Sequence, residues 1–554
     1  MKPNLETSPE VGIGEQSDSQ RQLEKGNSDL EGGIQVASLN LNDVTLSPNA
    51  DYPSGVKLAI IIASLAASVF LCALDETIIT TAIPKITDEF GSINDIGWYG
   101  SAYFMTFASF QLIYGKLFSF YSIKTVFLTS IGIFELGSLI CGAAPTSAAL
   151  ITGRAIAGLG SAGINAGFIV ILAASLPLER RPLFVSSYSG MYGIASVAAP
   201  LMGGAFTTGS TWRWCFYINL PIGGAAMLAT FFYLHLPPKP SSEAATWQAK
   251  LGQMDLLGTA VLVPGIVCLL LVLQWGGTVY AWSSTPVIVL LVVTGVAAAV
   301  FVTIQIWKQD SATVPPRILK QRSVACSTCY VFCAGGALNV FQYFLPIWFQ
   351  AVQGATAFES GTRILPTTLG TVLFSFTAGF GVSRTGYYTP FMISGASLIV
   401  AGAALTTTWA VSSPAAQWIG YQILVGAGAG LGIQQAHTAA QTVLAAGDVP
   451  TGAAVLIFAQ ILGGTVWVSV AQNVLTSHLV KGFVGVVSGL DPKAVLDTGA
   501  TGLRDVVGAE SLDAVLEVYR FALTRTFLCA AVLAGAALVA SVGMEWRSIK
   551  AKNT

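Results

Sequence analysis

Apolar runs without a charge, each long enough to cross a bilayer, recur along this chain, and that feature leaves few folds open. Leu58 to Leu74 is one such run. "VLVPGIVCLLLVL" and "PVIVLLVVTGVAAAVFVTI" belong to others. A bilayer core is spanned by about 20 apolar residues in a helix, where every backbone polar group is satisfied inside the segment. Only 10% of the 554 residues are charged, against roughly 25% in a soluble domain. The chain reads as an all-α integral membrane protein that crosses the bilayer many times.

Fourteen apolar segments are predicted, at about 58–80, 98–118, 125–143, 148–174, 184–206, 215–235, 256–275, 286–307, 325–349, 362–382, 389–408, 415–440, 452–476 and 519–543. An even number places both ends on one side. With the N-terminus in the cytosol, the inner short loops and tail carry Lys116, Lys124, Arg180, Arg181, Lys239, Lys250, Lys308, Arg317, Lys320, Arg322, Arg384, Arg547, Lys550 and Lys552, and the outer short loops only Lys85, Arg213 and Arg363. That asymmetry predicts cytosolic termini. Residues 1–55 are rich in Ser, Glu, Asn and Gly and read as a disordered cytosolic tail. They lack the apolar core of a cleaved signal, so the first span is expected to act as its own targeting signal.

Net charge is −1, which gives no basic surface for nucleic acid. The eight cysteines avoid polar loops, and "CSTCYVFC" (Cys326, Cys329, Cys333) has no histidine near it. They are expected to pack as small hydrophobes, with no disulfide framework and no metal. His235, His437 and His478 lie far apart, so no catalytic cluster or cofactor site is expected and the chain does not read as an enzyme.

The fourth span, "GRAIAGLGSAGINAG", echoes the twelfth, "GYQILVGAGAGLGIQQA". The turn "GKLFSFYSIKTVF" after the second span echoes "GFGVSRTGYYTPF" after the tenth. An offset of eight fits two six-helix halves with two extra helices, about 256–307, between them. Such repeats belong to transporters whose site lies between the halves. "GLGSAG" matches a dinucleotide-binding pattern, with Glu179 at a suitable distance, but apolar residues run on at both sides; small residues that let helices approach closely explain it better.

Charges within spans are functional candidates by default. They are Asp75, Glu76, Glu135, Arg154 and, near the last span, Arg525. Asp75 and Glu76 close the first span near its outer end, with Glu76 expected at the interface; Glu135 and Arg154 lie nearer mid-span. An acid beside a permanent cation can switch charge as a site opens to each side. Asn165, Gln434, Gln435, Gln441 and Gln460 add neutral polar groups, candidates for a substrate cavity or for hydrogen bonds between helices. The fifth span, "SYSGMYGIASVAAPLMGGAF", carries Gly190, Gly193, Pro200, Gly203 and Gly204, which suits a bend or a sliding seam.

"LDETIITTAIP", "GRAIAGLGSAG", "GMYGIASVAAPLMGG" and "TWRWCFYINLPIGG" together resemble the fourteen-spanner drug:proton antiporters of the major facilitator superfamily. "GSLICGAAP" and "FLPIWFQAVQGATAFESGTRILP" are similar to fungal members linked to mycotoxin and multidrug efflux. The resemblance covers residues 56–545. It implies an N-terminal six-helix bundle over 56–236, linkers and an inserted helix pair over 237–322, a C-terminal bundle over 323–545, and a cytosolic tail over 546–554. It also implies alternating access driven by protons. Asp75 matches the acid of the first-span motif, Arg154 the fourth-span arginine tied to proton coupling, and Gly190, Gly193, Pro200, Gly203 and Gly204 the antiporter motif, with Ala199 replacing its usual Gly. The loop after the second span departs further: Ser119, Ser122 and Ile123 replace an acid, a glycine and a basic residue, while Gly115, Leu117 and Lys124 fit. The expected function is proton-coupled export of amphipathic small organic molecules, a secondary-metabolite toxin or drug, by a monomer in a fungal plasma membrane, with the vacuolar membrane as the other candidate. The alternative is an uptake permease of siderophore or polyamine type.

Overall fold

The computed structural model describes residues 52–91, 95–236, 255–277, 280–483 and 509–550. The polar tail, the linker over 237–254, most of the long loop near 477–518 and the last four residues lie outside the described residues. The long helices are α1 Gly55–Phe90, α2 Ile96–Phe120, α3 Ile123–Ala143, α4 Ser147–Ser175, α5 Ser187–Gly209, α6 Asn219–Tyr233, α7 Leu256–Trp275, α8 Thr285–Lys308, α9 Arg322–Ile347, α10 Leu365–Thr385, α11 Thr389–Thr406, α12 Ala415–Val443, α13 Val449–Phe483 and α14 Ala509–Val542. No strand occurs among the described residues. Eleven of the spans are long and apolar enough to cross a membrane. α2, α5 and α12 fall below that apolarity because aromatic, serine, glycine and amide side chains replace aliphatic ones.

The first helix is longer than its sequence pattern suggests. It runs unbroken through Asp75 and Glu76 to Phe90, and Gly91, at φ 60°, terminates it. Asp75 is therefore the twenty-first of 36 residues and wholly buried, not near an outer end. Asp75 is covered by protein and Glu76 is half-buried, and Thr77 and Thr81 return hydroxyl hydrogen bonds of 2.8 and 2.7 Å to carbonyls of the preceding turn.

Two glycine-dense helices organise the two halves. α4 and α12 are each 29 residues long, and each is wedged between the helices that follow the same order in its half. A Cβ on Gly158 would fall 2.1 Å from the Tyr103 carbonyl oxygen of α2, and one on Gly160 would fall 2.4 Å from the Phe134 nitrogen of α3. Gly426 meets the Thr367 carbonyl of α10 at 2.2 Å and Gly428 the Gly395 carbonyl of α11 at 2.4 Å in the same sense. Backbone approaches this close admit no side chain. "GLGSAG" is thus mid-helix packing, and the echo between spans four and twelve is a matched pair of packing roles.

α7 and α8 form a hairpin pinned at one end by Asp255. This buried carboxylate caps α7 by accepting from the Gly258 N–H at 2.8 Å. It also accepts from Gln305 Nε2 at 2.8 Å and from the Thr313 N–H and hydroxyl at 3.1 Å, and it pairs with Lys308 Nζ at 3.1 Å. Burial would push its pKa up, but these donors outweigh burial and hold the carboxyl below the ordinary aspartate value. A depressed folded pKa gives stability that is present above the unfolded value, about 3.9, and is lost as pH falls through the lower folded value. Asp255→Ala should therefore lower the thermal midpoint at neutral pH, by the equivalent of about 1–3 kcal/mol. Melts across pH should show the gap to wild type closing below about pH 4.

Candidate functional site

Arg154 and Asp75 form an ion pair inside the first half, Nη1 to Oδ2 at 2.5 Å, with neither side chain reaching solvent. Three further contacts fix the guanidinium. Nε donates to the Tyr99 carbonyl at 2.8 Å, Nη1 also reaches the Asp75 carbonyl at 3.3 Å, and the group lies over the Tyr103 ring at 4.5 Å. Asp75 Oδ1 accepts from Asn219 Nδ2 at 3.2 Å, and the same amide donates to Ser138 Oγ at 3.1 Å. Helices α1, α2, α3, α4 and α6 thus each supply a group. A buried pair of this kind holds together because its remaining polar atoms are nearly all answered. The exceptions are Arg154 Nη2 and Asn219 Oδ1, which have no hydrogen-bond partner.

Glu135 is a third charge-bearing group beside this pair. Both its carboxyl oxygens are buried without a hydrogen-bond partner, and it rests on Gly223 of α6, one turn beyond Asn219, where a Cβ would fall 1.5 Å from Oε1. Glu76 is half-buried and accepts from the Tyr192 hydroxyl of α5 at 3.3 Å, so its carboxyl has a partner inside the protein. Tyr192 stacks on Tyr188 at 4.9 Å, and Tyr188 donates to Asn165 Oδ1 at 2.6 Å. A chain of contacts therefore runs from Glu76 of α1 through the two tyrosines of α5 to Asn165 of α4. Arg525 is exposed and covers the Phe521 ring at 4.7 Å, away from these groups.

The five neutral polar candidates are not gathered in one place. Asn165 is fully buried and bonded to Ser161 and Tyr188. Gln434 crosses between halves, donating to Ser189 Oγ at 3.1 Å. Gln435 and Gln441 are buried with neither amide atom partnered, as is Gln111 of α2. Gln460 lies beside His437 and packs against Gly335.

The fifth-span motif also divides. Gly190 and Gly193 face α10 of the other half, where a Cβ would come within 3.1 Å of Phe376 and 2.2 Å of Val372. Gly203 instead packs on α1 against Thr81, Gly204 has open space around it, and Pro200 is exposed. Nearby, the short helix Arg181–Val185 packs on Gly379 through Pro182, Leu183 and Ser186, and Gly115 of α2 meets Pro450, Thr451 and Ala454 of α13. These contacts close the halves together at the end that carries the basic loops. There Arg317 grips Asp448 with two bonds of 2.5 and 2.8 Å and Asp310 with one of 2.6 Å, while Lys116 donates to the Asp310 carbonyl at 3.5 Å. Gly115, which opens that degenerate stretch, thus lies within α2 in close contact with α13, and the charges near it come from the segment after α8, the turn before α13 and Lys116 itself.

Sequence reasoning did not single out Asn219, Ser138 or Tyr103. Asn219 had a signal: an amide inside the apolar "CFYINLPIGG" run. Ser138 and Tyr103 had none, because their roles depend on which face of a helix meets α4.

The Major Facilitator Superfamily model matches residues 65–468. The chain is 51% identical over 502 residues to the "MFS-type efflux pump MFS1" of Trichophyton rubrum, covering 91% of this chain and 94% of that one. It is 46% identical over 499 residues to the "Rubrofusarin-specific efflux pump aurT" of Gibberella zeae, covering 90% and 91%. Among solved structures, the proton:xylose symporter XylE has the same fold, with a TM-score of 0.54 at 13% identity over 86% of this chain and 94% of that one.

Proposed function

The chain belongs to the Major Facilitator Superfamily, and on that premise we propose that it is a proton-coupled exporter of amphipathic small organic molecules, secondary-metabolite toxins or drugs, working by alternating access. The observation that carries the coupling is the buried Asp75–Arg154 pair. A proton arriving at Asp75 replaces the arginine as the partner of Oδ2 and releases the guanidinium, whose Nη2 is already unpaired. Glu135 offers a second carboxyl beside it. Because Arg154 is also held by the Tyr99 carbonyl of α2, its release loosens α1 against α2 and α4. The direction of transport rests on the relatives, whose names are those of efflux pumps.

In this reading all fourteen long helices cross the membrane. α2, α5 and α12 are less apolar because they line the space between the halves. The basic end is cytosolic, the membrane is the plasma membrane and the unit is a monomer. The state described is the one closed to the cytosol. Gln111, Gln435 and Gln441, buried without partners, are the groups whose unmet hydrogen bonds a polar substituent of the substrate would answer.

Expression in a yeast strain stripped of its own drug pumps tests the direction. Cells carrying the chain should accumulate less of an amphipathic fluorescent dye such as rhodamine 6G and resist its toxicity. Greater accumulation would instead mark an uptake permease.

A further inference from the structure

On the outer wall of the bundle, α7 and α8 stand away from α9 and α13 and leave a cavity of about 560 Å³. Leu262 and Ile266 of α7, Ala298 and Phe301 of α8, and Val455 and Phe458 of α13 form most of its surface. The volume lies within the roughly 300–1,000 Å³ of sites that hold a small ligand, but the lining is almost wholly hydrocarbon. Of its polar exceptions, Gln305 is bonded to Asp255 and to the Val314 N–H and Thr328 returns its hydroxyl to Val324, while the Thr294 hydroxyl of α8 has no partner.

The cavity's outer wall indicates what fills it. α8 has only Val287, Ile304 and Gln305 buried, so its outer side faces the lipid of a membrane-embedded chain. At the rim of the cavity stands Lys320, exposed and with no acidic partner among the described residues. Its basic neighbours are occupied: Lys308 pairs with Asp255, Arg317 with Asp448 and Asp310, and Arg322 Nε donates to the Gly543 carbonyl. An apolar slot with one unanswered cation at its rim matches an anionic phospholipid, whose chain enters the slot while the phosphate meets the lysine.

We propose that the cavity between the α7–α8 hairpin and α13 binds one acyl chain of an anionic phospholipid, with its phosphate on Lys320. The bound chain has a mechanical consequence. Val455 and Ala459 line the cavity from the helix whose Thr451 and Ala454 seal against Gly115. A lipid in the slot therefore braces α13 in the closed arrangement of the basic end.

The test uses the full-length protein purified in mild detergent, with native mass spectrometry and thermal melts during titration with phosphatidylglycerol or phosphatidylcholine. The expected result is one retained phospholipid per chain and a larger upward shift in Tm with phosphatidylglycerol. Ala298→Trp, from an exposed position on the cavity wall, should remove the retained lipid and the shift. Leu319→Trp fills the slot from the opposite side should the first variant fold poorly. Lys320→Gln, a surface change, should keep the bound lipid and abolish the preference between headgroups. Equal shifts with the two lipids in the wild type, or retained lipid in both filled variants, overturns the proposal. So does loss of dye transport in the filled variants with lipid binding intact, since the slot would then belong to the transported compound.

Discussion

Asp75→Asn is expected to abolish proton-driven transport while the protein still reaches the membrane. The substitution keeps the shape of the side chain and leaves an oxygen to accept from Arg154 at the 2.5 Å contact, so the hydrogen bond survives, although the buried guanidinium loses its counter-charge and some stability with it. It removes the charge that a proton would cancel. Arg154→Ala should give the same loss of transport with a heavier structural cost. It leaves a buried carboxylate without its cation, which costs roughly 3–5 kcal/mol, and should show as a lower Tm and reduced membrane abundance. Arg154→Lys is the informative third member. One ammonium cannot reproduce the planar fork that bonds the Tyr99 carbonyl through Nε and Asp75 through Nη1, so transport should stay severely impaired even with the positive charge kept. Dye export measured at matched surface expression checks all three. Export by Asp75→Asn at the wild-type rate would remove Asp75 from the coupling role.

The second large effect is expected at Gly193. In the closed arrangement its Cβ position lies 2.2 Å from Val372 Cγ2 on the facing half, so any side chain there pushes α5 and α10 apart. Overpacking at such a contact costs about 1–3 kcal/mol, equivalent to a roughly 5- to 150-fold shift between two states. Gly193→Leu should therefore populate the arrangement open at the basic end. Spin labels at Leu183 and Thr385, both exposed near that end, should report a longer separation, and transport should fall sharply. Gly204→Leu supplies the control within the same motif. Nothing lies within 4 Å of its Cβ position, so stability should change by no more than about 0.5 kcal/mol.

Much of this was legible from the amino acids because lipid imposes strong rules. Runs such as 286–307 could only be helices, and the basic loops mark one end of them. The glycine echo between "GRAIAGLGSAGINAG" and "GYQILVGAGAGLGIQQA", read as a mark of repeated halves, falls on two helices that pack in the same way. The first helix was misjudged because two adjacent carboxylates look like a span's end. Their cover comes from α4, α5 and α6, which are distant in sequence, and hydropathy along one helix carries no trace of it. The same limit hid the division of the fifth-span motif. Gly190, Gly193, Gly203 and Gly204 are alike in composition, yet they face the other half, their own half or open space according to a rotation about the helix axis that spacing alone did not assign. The charged contacts at the basic end were hidden for a different reason. Arg317 and Asp448 are 131 residues apart, and nothing local to either residue names its partner.

The central claim is that a proton moving inward drives an organic molecule outward, and inside-out membrane vesicles test it most directly. Vesicles containing the chain, with an acidified lumen, should take up rhodamine 6G. A protonophore should collapse that uptake to the level of empty vesicles, and Asp75→Asn vesicles should show none of it. Uptake that continues undiminished after the gradient is dissipated would contradict the account.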